Sequence, residues 1–185
     1  NPNIYTRKEI FMQEGWHYEL ESAQAPLKYN GVVYNEMKGA YSSPDDVLNR
    51  YCLNSLYPDT AYSVESGGDP DSIPDLSYED FLAFHKKLYH PSNSYIYLYG
   101  NCDMAERLEY LDREYLSHYD CMKVDSEIKT QKPFESMHRV EAQYSVTEDE
   151  GIAGRTYLSY NLSVGDTLDK KLYIAMQVLD YALFS

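Results

Sequence analysis

The 185-residue chain is expected to fold as an α+β protein, and three observations predict it. Apolar residues recur at helical spacing in several segments, and short runs rich in β-formers interrupt them. Clusters of Gly, Pro, Ser and Asp mark the boundaries between the two. The resulting order is helix, helix, strand, helix, strand, helix, connection, strand, strand, helix, with no internal repeat.

Ile10 to Leu20 mixes aromatic and polar residues without a clean period, so helix and strand stay open there, and Ser22 to Pro26 reads as a loop. Gly31 to Tyr41 reads as a helix. Ser43-Pro44-Asp45-Asp46 offers an N-cap, a proline at the first helical position and acids in the first turn, which opens a second helix to about Leu56. Ala61 to Glu65 reads as a short strand, and Ser66 to Asp75 as a loop. Ser77, followed by Asp80, resembles a capping box before a helix whose face carries Phe81, Phe84, His85 and Leu88.

Tyr95-Ile96-Tyr97-Leu98-Tyr99 predicts a strand stopped by Gly100, and Met104, Leu108, Leu111 and Tyr115 mark the next helix. The polar stretch from Asp120 to Pro133 reads as an interdomain connection, which divides the chain into residues 1–122, a linker at 123–137 and a second unit at 138–185. In that second unit Val140 to Val146 and Arg155 to Val164 are expected as strands around an acidic turn, Thr147 to Gly154. A helix from Leu168 then carries Leu172, Ala175, Met176, Leu179 and Leu183 on one side. No helix-stop signal closes it, and the chain starts at Asn1-Pro2 without Met, so we read it as a piece of something longer.

A chain of this size can bury about 70% of its unfolded surface, so neither a metal nor a disulfide is needed merely to fold. The formal net charge of -14 makes nucleic acid an unsuitable partner, because a field of that sign repels phosphates. No apolar run reaches the length of a membrane span, and no membrane association is expected. Cys52, Cys102 and Cys121 are odd in number and lack a CxxC spacing, which points to reduced thiols and a cytoplasmic location. Asn161-Leu162-Ser163 matches a glycosylation sequon within a predicted strand, where a chance match is the simpler reading.

At 100° per residue, Val32, Glu36, Ala40, Val33 and Met37 share one arc of the Gly31 to Tyr41 helix. A carboxylate in such an apolar stripe calls for a cation, a metal or a raised pKa, since unpaired burial costs several kcal/mol. No Lys or Arg stands three or four residues away. A distant Arg or Lys partner and a metal-ligand role both remain open. His85 and His90 are five apart across a helix end and do not stack on one face, while His17, His118 and His138 stand alone. Gly67-Gly68-Asp69-Pro70 lacks the Lys-Ser/Thr of a phosphate loop and reads as a turn. The 21 tyrosines fall mostly at periodic apolar positions, where they pack with the hydroxyl at the rim.

Four stretches resemble, in order and spacing, the presequence protease and falcilysin branch of the pitrilysin/insulinase family of zinc metallopeptidases. They are Phe11 to Trp16, Gly31 to Ala40, Ser66 to Pro70 and Tyr89 to Asn93. Arg155 to Ser159, with Gly165 to Asp169, resembles the opening of that family's second homologous domain. The resemblance implies two-layer units of the pitrilysin type: the end of a first domain, a linker and the start of a second. It also implies an HxxEH helix upstream that supplies two zinc histidines and a general-base glutamate. The third zinc ligand matches Glu36. No catalytic residue is expected within this chain, because neither HxxEH nor its reverse occurs in residues 1–185.

Zinc would therefore belong to the full-length parent, whose expected partners are a short unstructured peptide substrate and the remaining upstream and C-terminal parts of the same polypeptide. This segment alone is expected to be inactive. Two other readings are a catalytically inactive structural or assembly subunit and an acidic, tyrosine-rich binding module for cationic peptides or glycans.

Overall fold

The computed structural model describes residues 2–149 and 151–184. Six α-helices and one two-stranded sheet are present among them, with short 3-10 turns between: α1 (Lys8–Glu14), β1 (His17–Glu19), β2 (Lys28–Asn30), α2 (Val32–Ala40), α3 (Pro44–Leu56), α4 (Tyr78–Leu88), α5 (Met104–Glu114) and α6 (Lys170–Phe184). The chain is thus α+β. It divides into two compact units, Asn1–Ser42 with Glu65–Thr130 and Ser43–Val64 with Gln131–Ser185.

In the first unit the ambiguous segment resolves into both elements. Gly15 ends α1 with its N–H donating to the Phe11 carbonyl at 2.8 Å, and β1 starts two residues later. β1 pairs antiparallel with β2 in the register His17↔Asn30, Tyr18↔Tyr29, Glu19↔Lys28. A hairpin this short is marginal on its own backbone bonds. Aromatic rings reinforce it: Tyr18 and Tyr29 lie 5.3 Å apart across the strands, and the Trp16 ring meets both edge-on at 5.5 and 5.7 Å. Trp16 Nε1 also donates to the Leu76 carbonyl at 2.9 Å, tying the hairpin to the loop before α4.

Phe11 packs against Phe81 at 5.5 Å and Tyr78 at 6.0 Å, joining α1 to α4. Among the described residues Phe11 and Ile73 are the buried core side chains, at 8% and 4% exposure. That core is smaller than the chain length allows. The expected strand at Tyr95–Tyr99 is a correction: the segment pairs with no strand among the described residues, and Tyr95, Tyr97 and Tyr99 are exposed. Its composition favours a strand, but a ladder requires a neighbouring strand to exchange hydrogen bonds.

The N-cap half of the expected capping box before α4 forms, while Asp80 Oδ2 takes the Ser77 hydroxyl rather than its backbone N–H. Ser77 Oγ accepts from the Asp80 N–H at 3.0 Å and donates to Asp80 Oδ2 at 2.6 Å. The inner face of α4 holds Phe81, Leu82, His85 and Leu88, whereas Phe84 points out at 59% exposure. His85 Nδ1 meets the Tyr5 hydroxyl at 2.7 Å, and its ring stacks on Tyr89 at 4.3 Å. Asp103 Oδ1 caps α5 by accepting from the Ala105 and Glu106 N–H groups at 2.9 and 3.2 Å.

In the second unit Ser43 Oγ accepts from the Asp46 N–H at 3.4 Å, and Pro44 occupies the first turn of α3, as the sequence predicts. Residues Ala61–Ser63 form a single 3-10 turn rather than a strand, because Thr60 Oγ1 takes the Tyr62 N–H at 3.1 Å and closes the backbone locally. The strands expected at Val140–Val146 and Arg155–Val164 are also absent among the described residues. Tyr144 still joins the two segments, its hydroxyl donating to the Arg155 carbonyl at 2.6 Å and its ring meeting Tyr157 at 5.7 Å. Part of the acidic turn between them, Glu150, lies outside the described residues. α6 begins at Lys170, two residues later than its apolar pattern, because Asp169 Oδ1 accepts from the Lys171 and Leu172 N–H groups at 3.1 Å. Among the described residues no helix is long and apolar enough to cross a membrane.

Ser77→Ala is expected to cost about 1 kcal/mol of stability in chemical denaturation followed by circular dichroism. Ser43→Ala, which removes a longer bond, should cost less. Lys28 Nζ donates to Glu21 Oε1 at 2.8 Å, and that hydrogen bond and charge raise the Lys28 pKa above its ordinary value. A raised lysine pKa stabilises fully below the unfolded value of about 10.4 and fades as pH rises through the folded one. NMR titration of Lys28 should therefore show a downward pKa shift in Glu21→Gln.

Candidate metal-ligand site

Glu36 sits in the second turn of α2, within the first unit. The helix opens at Gly31, which provides no side-chain cap. Two groups from preceding elements take over that role. The Gly15 carbonyl accepts from the Tyr34 N–H at 3.3 Å, and Asn30 Oδ1 accepts from the Gly31 N–H at 2.8 Å. Asn30 Oδ1 also accepts from Asn35 Nδ2 at 2.7 Å, while Asn30 Nδ2 donates to Glu19 Oε2 at 2.9 Å. One carboxamide thus links β1, the helix start and the residue beside Glu36.

Gly31 permits this junction. A Cβ there would lie 2.2 Å from the Gly15 oxygen and 2.8 Å from Trp16 Cα, and both are backbone atoms that cannot swing aside. Gly67 makes room on the other side, where a Cβ would lie 2.3 Å from Met37 Sδ. Gly68, at φ 92°, has the left-handed backbone that only glycine adopts readily, and it lets the loop turn beneath Ile73. The glycine pair is a turn serving α2. Hydrogen bonding to Tyr18 raises the pKa of Tyr29, whose ring lies 5.9 Å from Tyr34.

The burial expected for Glu36 is a correction. Val33, Tyr34 and Met37 are half-buried, while Val32, Glu36 and Ala40 face solvent, Val32 at 51% exposure. The contacts of α2 with α1 and β2 rotate the apolar arc, so that only one edge of it is covered. The carboxylate is hydrated, and burial does not oblige it to find a partner. No hydrogen bond or ion pair of Glu36 occurs among the described residues.

The other candidate groups lie in separate places. His17 Nδ1 donates to the Met12 carbonyl at 2.7 Å, His85 is held by Tyr5, and His90 Nδ1 accepts from the Ser92 N–H at 3.1 Å. His138 meets Phe134 at 4.7 Å. Cys52, Cys102 and Cys121 are free thiols. Among the described residues no three His, Cys, Asp or Glu side chains converge as a metal site. Glu36 therefore fits a metal as one uncommitted oxygen donor, and the remaining ligands of a closed zinc site would be supplied from other residues. The supporting residues Gly15, Glu19 and Asn30 escaped the sequence reading. Their only local sign was an Asn-Gly step before a helix without a Ser, Thr or Asp cap.

Comparison with known proteins agrees with the resemblance carried by the four motifs. Residues 75–185 match the family profile described as "Peptidase M16 inactive domain". The chain is 56% identical over 182 residues to Protein HypA of Clostridium perfringens, covering 98% of this chain and 19% of that protein. It is 40% identical over 185 residues to Presequence protease 1, chloroplastic/mitochondrial, of Arabidopsis thaliana, covering 98% of this chain and 17% of that protein. It is also 50% identical over 110 residues to the mitochondrial presequence protease of Drosophila melanogaster, covering 58% of this chain and 11% of that protein. The chain thus spans less than a fifth of the length of these relatives. With a profile match across more than half its residues and relatives along nearly all of them, the chain belongs to the peptidase M16 family.

Proposed function

We propose that this chain contributes the glutamate zinc ligand, Glu36, to a metalloendopeptidase that hydrolyses short unstructured peptides. The observation that carries this reading is the carboxylate itself: it is exposed on a helix anchored at its N-terminus and has no hydrogen bond or ion pair among the described residues.

Within that reading the two histidine ligands and the general base come from an HxxEH segment elsewhere in the parent polypeptide. Zinc held there would polarise the peptide carbonyl and lower the pKa of its bound water. Glu36 holds the metal and transfers no proton. Residues 1–122 close the first domain of the parent, 123–137 connect, and 138–185 open the second. The segment by itself is inactive, because one carboxylate cannot complete the coordination shell.

A second reading is a catalytically inactive homologue serving in structure or assembly, and the profile's description as the family's inactive domain favours it over residues 75–185.

In the full-length parent, Glu36→Gln is expected to lower zinc affinity by about 100-fold or more and to abolish peptide cleavage, since loss even of a group supporting a ligand costs about 10–100-fold. Metal analysis and a fluorogenic-peptide assay measure both. Unchanged zinc content and rate in the variant would remove Glu36 from the site. A parent that neither binds zinc nor cleaves peptides would establish the structural reading.

A further inference from the structure

We infer that the Gly15 carbonyl and the Asn30 carboxamide form a clasp that positions Glu36 for metal binding, with Gly31 as the residue whose missing side chain lets the clasp close. This inference rests on the reading of Glu36 as a zinc ligand and adds the groups that would set its location.

No hydrogen bond of its own holds the Glu36 carboxylate among the described residues, so the backbone of α2 governs where it stands. That helix is nine residues long and has no side-chain cap from Gly31. Its start is tied instead at two points. Gly15 takes the Tyr34 N–H at 3.3 Å, and the single oxygen Asn30 Oδ1 takes both the Gly31 N–H at 2.8 Å and Asn35 Nδ2 at 2.7 Å. The other end of the same carboxamide is committed to Glu19 Oε2 on β1 at 2.9 Å, so Asn30 cannot turn over without breaking a bond at each end. Asn35, the neighbour of Glu36, is therefore referenced to the hairpin through one planar group.

The metal makes this positioning matter. A carboxylate oxygen binds zinc at about 2.0–2.2 Å, and such distances tolerate about 0.2 Å. A methyl group at Gly31 would stand 2.2 Å from the Gly15 oxygen and 2.7 Å from the Gly15 carbonyl carbon. Relieving that overlap to an ordinary contact of about 3.5 Å moves the helix start by about 1 Å, several times the tolerance of the bond. The clasp thus acts on zinc through Glu36 without touching it.

The test uses the full-length parent with Gly31→Ala, Asn30→Ala, Asn35→Ala, Glu36→Gln and the pair Asn30→Asp with Glu19→Gln. Zinc affinity is read by chelator competition, the cobalt(II) d–d spectrum reports ligand geometry, and thermal unfolding reports stability. Gly31→Ala and Asn30→Ala are expected to weaken zinc by about 10–100-fold and to shift the cobalt bands. Asn35→Ala, an exposed change that removes one side-chain bond, should shift them in the same direction by less. The paired substitution keeps every hydrogen bond while reversing the one between positions 19 and 30, since the new carboxylate accepts from Gly31, Asn35 and the new amide, and it should return affinity to within about 3-fold of the parent.

Unchanged zinc affinity and cobalt spectra in all clasp variants, with Glu36→Gln weakened, would overturn the clasp and leave the ligand assignment standing. Unchanged affinity in Glu36→Gln would overturn both. Should Gly31→Ala fail to fold, Asn30→Ala and Asn35→Ala decide the matter: weakened zinc and shifted cobalt bands support the clasp, and unchanged values overturn it.

Discussion

The approach of Gly31 to the Gly15 carbonyl is the contact on which the first unit turns. Gly15 ends α1, Trp16 leads into β1, and Gly31 begins α2, so one van der Waals contact joins two helix ends and a hairpin. Backbone oxygen and backbone nitrogen meet there directly, the Gly15 carbonyl serving the orphan Tyr34 N–H. The aromatic rings of Trp16, Tyr18, Tyr29 and Tyr34 then cover the hairpin that leads to the junction. Rotating α2 about its axis to bury Glu36 would withdraw Val33, Tyr34 and Met37 from that packing.

Much of the remaining apolar surface has no covering within the described residues. Ile96 is half-exposed and Tyr95, Tyr97 and Tyr99 are nearly fully so, although the alternation suits a sheet. An open cavity of about 780 Å³ lies along this region, lined among others by Leu88, Ile96, Leu111 and Tyr119. On α5, Met104 and Leu108 face outward, and on α6 so do Ile174, Val178 and Leu183.

Local signals were readable wherever one residue satisfies its neighbour. Ser43, Pro44, Ser77 and Asp80 announced two helix starts, because a capping hydroxyl needs only the N–H groups two or three positions ahead. Gly31 to Tyr41 was legible as a helix from its composition, and the motifs around it identified the family. The strand expectations at Ala61–Glu65, Tyr95–Tyr99, Val140–Val146 and Arg155–Val164 went further than sequence can. β-propensity describes a side chain's suitability for a pleated surface, whereas a strand exists only when a second one supplies its hydrogen bonds.

Glu36 shows the same division. The sequence by itself determined the helix that carries it, the apolar arc around it and the family motif in which it stands, since all three are properties of consecutive residues. Only the tertiary structure decided which edge of that arc is covered, that the carboxylate remains hydrated, and that Gly15, Glu19 and Asn30 hold the helix start. Those outcomes depend on groups 6 to 21 positions from Glu36 in the chain, brought within hydrogen-bonding or van der Waals range by a hairpin whose register no single segment encodes.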